Sequence, residues 1–383
     1  MKKLHLIFTC VGSFSFALSL AQNTTPVLVG QDQTNRVITT AVPFLSITPD
    51  SRAAALGDAG VATSPDINSA YWNAAKFAFI DKGYGASLSY TPWLAKIIND
   101  MKLVYLTGFY KISRKQTVAL SLKYFDLGRI DFRTGTNQPN GSFNPRDYSF
   151  DATYSQLLTE NFSIGGSIRY IFSNLTGAGV PDARPGSSVA VDLGVYYTKP
   201  FVKSNATLSL GASISNIGTK ISYTDANNKD FLPGNLRIGG ALKKEIDPFN
   251  SLTFVLDFNK LLVPSPYPGS KSQPLLTGVF ESFSDARGGA KEEFQEISTS
   301  IGLEYWYKQI FSGRAGYFYE SPSKGNRNYL TTGVGLRFEK FGLDAAYMVP
   351  LNQQNNALAE TIRFSLMLSV PTRESRDDDA VKD

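Results

Sequence analysis

Nucleophilic, acid–base and metal chemistry leans on His, Cys, Ser, Asp and Glu held at particular spacings, and this chain is almost empty of the first two. Its 383 residues contain one His and one Cys, His5 and Cys10. Both fall inside the opening run MKKLHLIFTCVGSFSFALSLAQ. There Lys2 and Lys3, the apolar stretch Leu4 to Leu20 and the small-residue step Ser19-Leu20-Ala21 have the form of a secretory signal peptide over residues 1–21. Its removal leaves neither imidazole nor thiol, which excludes Ser-His-Asp and Cys-His nucleophile systems, a disulfide framework and a His/Cys zinc site. Cys10 sits in the middle of the apolar stretch rather than after small residues at its end, so it is not read as a lipidation site.

Other chemical signatures are also missing. No GxSxG, GxxxxGK[ST] or GxGxxG occurs in a strand-to-helix setting. Asp225, Asn227, Asn228 and Asp230 offer oxygen ligands, but the string lacks the Gly and terminal Glu of a calcium loop and reads as a polar turn. No catalytic, cofactor-binding or metal-ligating residue is expected, and the chain is not expected to be an enzyme. Without Lys2 and Lys3 the balance is 36 basic against 33 acidic residues. That excess is too mild and too scattered to argue for nucleic acid.

The elements have a different logic. After Leu20 no stretch approaches the roughly 20 consecutive apolar residues of a spanning helix. Alternation dominates instead. In 205–217, Ala206, Leu208, Leu210, Ala212 and Ile214 oppose Thr207, Ser209, Gly211, Ser213 and Ser215, a period of two with one greasy face. The same pattern recurs in about fourteen segments, near 83–91, 101–111, 116–126, 146–158, 161–173, 187–198, 205–217, 234–246, 250–259, 296–308, 311–320, 328–339, 340–348 and 358–370. Each has about the 9 to 11 residues with which a tilted strand crosses a bilayer.

Their connections alternate between short turns (113–115, 159–160, 247–249, 308–310) and longer loops (127–145, 174–186, 218–233, 260–295), as in an outer-membrane barrel. A soluble β-sandwich would also alternate, but its outer face would be strewn with Lys, Glu and Thr. Here the non-apolar face is rich in Gly, Ser and Ala. Pairs such as Tyr90 and Trp93, Phe109 and Tyr110, and Tyr305 to Tyr307 stand near strand ends, where a headgroup interface favours aromatic rings. The fold class expected is all-β, a 14-stranded antiparallel transmembrane β-barrel over 83–370. Its location is the outer membrane of a Gram-negative cell, with the lipid bilayer as its surroundings.

About eight strands already use up what inward side chains can fill, so fourteen leave a bore that needs a plug. Residues 22–82, rich in Ala, Gly and Asn, can supply it. Charges on the inner face, Lys123, Arg169, Arg237, Lys243, Arg314, Arg337 and Arg363 against Asp151, Asp192, Asp257, Glu304 and Asp344, are expected to pair with one another or with that plug.

The plug segment also carries a resemblance. SRAAALGDAGVATSPDINSAYWNAA, residues 51–75, resembles the N-terminal segment of the FadL/OmpP1-like outer-membrane proteins, with Gly57, Asp58, Ala59, Gly60, Val61, Ala62, Asp66, Trp72, Asn73 and Ala75 on the pattern and Ala74 departing from its usual Pro. With the signal peptide and the strands, the likeness covers nearly the whole chain. TPDSRAAALGDAGVATSPDINSAYWNAAKFAF and the following YGASLSYTPWL are most similar to the PorV (LptO) subfamily of the Bacteroidetes type IX secretion system. The resemblance implies a FadL-type barrel with Gly57, Asp58, Gly60, Asp66, Trp72 and Asn73 as plug motif. It further implies a non-enzymatic carrier that associates with the outer-membrane translocon barrel, binds the C-terminal signal domain of secreted cargo and hands it to a sortase-like attachment complex.

Such a carrier needs an exposed surface, and the 260–295 loop offers one. Leu261, Leu262, Val263, Tyr267, Leu275, Leu276, Val279, Phe280 and Phe283 are too many apolar residues for an idle loop, and Pro264, Pro266, Pro268 and Pro274 are expected to hold it extended. The competing expectation for this loop is a lid folded inward. The alternative for the whole chain is a FadL-like uptake channel for long-chain fatty acids or other hydrophobic small molecules. That function calls for an apolar patch inside the bore, whereas the inner faces read as Ser, Gly, Thr and charge. Residues 371–383 read as a charged periplasmic tail.

Overall fold

The computed structural model describes residues 37–94, 100–175, 183–224, 229–265, 273–351 and 361–371. Strands follow in chain order as β1 Lys82–Pro92, β2 Lys102–Ser113, β3 Gln116–Asp126, β4 Ile130–Arg133, β5 Pro139–Phe143, β6 Arg146–Thr159, β7 Phe162–Asn174 and β8 Gly186–Phe201. They continue as β9 Ala206–Gly218, β10 Asn235–Glu245, β11 Asn250–Leu261, β12 Ile297–Tyr307, β13 Phe311–Tyr319, β14 Asn328–Phe338, β15 Phe341–Pro350 and β16 Ile362–Pro371.

All but β4 and β5 form one antiparallel ring that closes by pairing β1 with β16, for example Leu88 with Leu366. Closure removes every edge and so every unpaired ladder group, the condition for crossing hydrocarbon with strands. Alternation sets the faces. Ile164, Ile168 and Tyr170 of β7 point outward, while Ser163, Ser167 and Arg169 are buried within. Register then brings inner charges together: Asp151 stands opposite Arg169, and Glu304 opposite Arg314.

The same alternation corrects the aromatic reading. Neighbouring residues of a strand cannot both face lipid. Tyr90, Tyr110, Tyr170, Tyr305, Tyr307 and Tyr319 are outward, but Trp93, Phe109, Phe125, Tyr196 and Phe318 turn inward and are buried. Two further differences lie in the loops. The 127–145 connection contains the β4–β5 hairpin, and the 260–295 connection, where it is described, is not extended. It folds into two short helices, α3 Leu275–Glu281 and α4 Ala290–Gln295, after α1 Ser51–Ala54 and α2 Ser69–Trp72 earlier in the chain. Pro274 stands at the N-cap of α3, where its missing N–H costs nothing. Pro371, read as the start of the tail, is the last residue of β16 and pairs with Lys82.

Residues 41–80 run through the ring. They start at the long-loop end, where Ala41 N–H donates to Phe231 O (2.9 Å), and reach the short-turn end, where Lys111 Nζ donates to Ile80 O (2.5 Å). Barrels of this class place short turns in the periplasm and long loops outside.

Candidate functional site

Two constructions stand out: the segment inside the bore, and the α3–α4 cap on the outer rim. In the first, Asp50 caps α1 by accepting from Ala53 N–H (3.0 Å), and its other oxygen accepts from Trp72 Nε1 (2.7 Å), so the cap also fixes the indole. Gly57 and Asp58 both have positive φ and reverse the chain. A Cβ on Gly57 would lie 2.5 Å from the carbonyl oxygen of Tyr317, and one on Gly60 would overlap the Trp72 ring. The N–H groups of Gly60 and Val61 both donate to Asp257 Oδ2 (2.6 and 2.9 Å). Asn73 Nδ2 donates to Val61 O (3.2 Å) and to Val195 O on the wall (2.9 Å). Asp66 accepts from Arg52, which also pairs with Glu304 of β12 (2.8 Å each).

The inner small residues of the wall therefore face packed backbone rather than open water: Gly165 lies against Ala74 and Ala75, Gly211 against Val61, and Gly316 against Gly57. Most of the inner charges are likewise engaged, although the Nε of buried Arg363 has no hydrogen-bond partner among the described residues. Arg169 pairs with Asp151 and Asp192, Arg314 and Arg337 with Asp344. Lys123 Nζ donates to the carbonyls of Leu45 and Ile47 and sits 4.4 Å from the Tyr71 ring centre, which Arg237 covers from 5.0 Å. A pocket towards the outer rim, beside Asp58, Arg237 and Tyr329, has a volume of about 120 Å³. At about 30 Å³ per water this is room for a few molecules. A larger polar vestibule of about 510 Å³, beside Asp66, Lys82, Lys243 and Arg337, faces the short turns.

At the outer rim, the residues of the 260–295 loop divide. Leu262 and Val263 are buried and Leu261 and Leu275 half-buried, whereas Leu276 (63% exposed), Phe280 (73%) and Phe283 (48%) lie on the surface. Tyr267 and Asp225, Asn227 and Asn228 lie outside the described residues; Asp230 bridges Ile221. Leu276 and Phe280, spaced i, i+4, share one face of α3; Phe283 follows in the turn after it and Phe294 (74%) is exposed on α4, which together make an apolar stripe on the cap.

Beneath the stripe is an ion cluster that sequence reasoning missed. Lys260 Nζ reaches Glu293 (3.1 Å) and Glu296 (2.5 Å), and Lys324 Nζ reaches Glu292 and Glu296 (2.8 Å each). Ser265 N–H donates to Asp285 and its hydroxyl to Glu296. Burial pushes the Glu296 carboxyl up, but its bonds to Lys260, Lys324 and Ser265 outweigh this and hold it below the usual range. Burial, helped by Glu296 and Glu293, raises Asp285. Asp285, Glu293 and Glu296 converge within 4.8 Å, yet two lysines already supply the cationic charge that a metal would bring. The only sequence signal for the cluster was Lys260 and the Glu-rich KEEFQE, which gave no hint of the fold-back that joins them.

Taken together, a closed fourteen-stranded ring, apolar outside and mostly polar within, whose bore is occupied by its own N-terminal segment, is an outer-membrane β-barrel closed by its own chain. The family model described as Type IX secretion system protein PorV matches residues 30–268, and the chain belongs to that family. Among curated proteins there is no match.

Similar solved structures include the TodX monoaromatic hydrocarbon channel deltaS2 mutant, 11% identical with a TM-score of 0.50 over 84% of this chain and 98% of that one. The toluene transporter TbuX of Ralstonia pickettii is 12% identical at a TM-score of 0.47, over 84% of this chain and 98% of that one. A FadL homologue of Pseudomonas aeruginosa is 14% identical at 0.44, over 88% and 99%. At these identities the TodX likeness concerns the fold alone.

Proposed function

We propose that this type IX secretion barrel is a non-enzymatic carrier that works by its outer surface. It docks on the translocon barrel, binds the C-terminal signal domain of secreted cargo and passes it to the sortase-like attachment complex. The observation that carries the reading is the stripe Leu276, Phe280, Phe283 and Phe294. Four large apolar side chains held in water by a pinned support form a patch of the kind that marks a partner site. Phe and Leu on short, braced helices lose little conformational freedom on binding, which favours affinity. The plug motif, Gly57, Asp58, Gly60, Asp66, Trp72 and Asn73, serves in this reading to keep the bore shut while the rim works. The leader over residues 1–21 is removed on export.

Uptake of hydrophobic small molecules is the second reading. An apolar inner patch does exist, around Trp93, Leu103, Phe125 and Ile171 at the outer end of the bore, where the sequence was read as polar. It is occupied by Val42, Phe44 and Leu45, which favours the carrier. The test is crosslinking in cells that secrete through this system, followed by purification and mass spectrometry, beside a long-chain fatty-acid binding assay. Capture of translocon and cargo supports the carrier. Saturable fatty-acid binding without such partners overturns it.

A further inference from the structure

The two ends of the barrel handle their charges differently. At the outer end, cations such as Lys102, Arg129 and Arg327 have carboxylate partners in Asp126, Asp131 and Glu320. At the short-turn end, Lys199, Lys203, Lys244 and Lys308 stand exposed on or beside the neighbouring β8–β9, β10–β11 and β12–β13 turns, and among the described residues none of the four is paired with a carboxylate. The nearby acids are committed elsewhere: Glu245 to Lys243 (2.6 Å), and Asp247 to the N–H groups of Phe249 (2.8 Å) and Asn250 (2.9 Å) in its own turn. Beside the lysines the turns expose Phe201, Val202 (83%), Ile246, Phe249 and Ile310. Lys199 Nζ is 5.8 Å from the Phe201 ring centre, and Lys308 Nζ is 5.1 Å from that of Phe249. Backbone bonds join the turns into one ledge, Glu245 N–H donating to Asn205 O (2.9 Å) and Lys308 N–H to Phe249 O (2.6 Å). By the period of two, Lys199 and Phe201 share the lipid side of β8 with Leu193 and Val195, and Lys244 shares that of β10 with Leu242. The ledge is therefore the lip of the hydrocarbon face.

We propose that this ledge binds the anionic headgroups of phospholipids in the periplasmic leaflet. Its apolar side chains enter the boundary between acyl chains and headgroups, and the lysines, with flexible apolar stems and compact ammonium groups, reach the phosphates. Lipid is favoured over an acidic periplasmic protein because the cations continue the face that already meets hydrocarbon. Basic residues at such a surface are attracted to anionic lipid, and the attraction weakens as salt screens it. The inference stands apart from cargo carriage, since it concerns the end of the barrel opposite the cap.

The experiment uses the full-length, export-processed barrel in phosphatidylcholine vesicles, wild type beside Lys199→Gln/Lys203→Gln/Lys244→Gln/Lys308→Gln. The probes are spin-labelled phosphatidylglycerol and spin-labelled phosphatidylcholine, and electron spin resonance reads how strongly each associates with the protein. The wild type is expected to prefer phosphatidylglycerol by roughly fivefold at low salt, about what one lysine contributes at a membrane surface. The preference should fade in about 1 M salt, where charges are screened beyond about 3 Å, and should be lost in the variant. Folding is checked separately by the shift in gel migration on boiling. If the fourfold variant lacks that shift, Lys203→Gln/Lys308→Gln, both in turns, carries the comparison and should weaken the preference. A wild type that holds the two lipids equally overturns the proposal, as does a folded variant that keeps the full preference. Equal association of the two lipids, together with capture of a periplasmic protein by a photocrosslinking residue in place of Lys203, assigns the ledge to a protein and likewise overturns it.

Discussion

Each motif residue of the inner segment does a job that its neighbours on the wall define. Gly57 needs both its left-handed backbone and its missing Cβ, because the Tyr317 carbonyl lies where a methyl would go. Gly57→Ala is expected to cost about 1–2 kcal/mol from the backbone conformation alone, before the collision is counted. The midpoint of the boiling-induced gel shift should fall accordingly, and an unchanged midpoint would contradict the placement. Arg52 is a different case. It joins the inner segment to the wall through Glu304 while bracing Asp66, with side chains almost wholly out of water. Its removal leaves Glu304 with only the more distant Arg314 (3.6 Å) as ion partner and takes the guanidinium from Asp66, so Arg52→Ala should destabilise by about 3 kcal/mol, the low end for a broken buried pair, in the same assay.

At the scale of elements, the α3–α4 cap depends on carboxylates whose titration sets its pH range. Glu296 is held below the ordinary glutamate value, so its contribution is present above that value, about 4.3, and fades as pH falls through the lowered one. Asp285 is raised, so protonation relieves it and stability rises slightly as pH drops through the raised value. Hydrogen exchange across residues 273–296 should therefore hold or slow from pH 7 to about 5 and loosen only below about 4.3, after correction for intrinsic exchange. Loosening near pH 6 would mean the lysine cluster is not what holds the cap.

Strands were the legible elements, because period-two patterning directly reports which face meets lipid. The segment read over 116–126 is Gln116–Asp126, and that over 187–198 is Gly186–Phe201. The β4–β5 hairpin and helices α3 and α4 were not legible. They are short, and long-range contacts rather than local pattern decide their form. Aromatic residues near strand ends misled for a related reason: position along a strand was visible, but the inner chamber that draws Trp93 and Phe125 inward is assembled from distant parts of the chain. Of the rim site, the apolar composition was readable, yet the division into buried Leu262 and Val263 and exposed Leu276 and Phe280 needed the fold-back pinned by Lys260 and Lys324.

At the scale of the whole molecule, the protein is a wide barrel made silent by its own chain. In planar bilayers the intact protein should show no steady conductance, whereas deletion of residues 41–80 should open a large one, since fourteen strands enclose more space than inward side chains fill. With the bore closed, the working surface is the outer cap. The most direct test places a photocrosslinking residue at Phe280, with a control at lipid-facing Leu193, in cells actively secreting through the type IX system. The account predicts protein adducts from position 280 that contain the C-terminal domains of secreted proteins or the translocon barrel, and none of these from position 193. Secretion that proceeds normally while position 280 yields no protein adduct would contradict it.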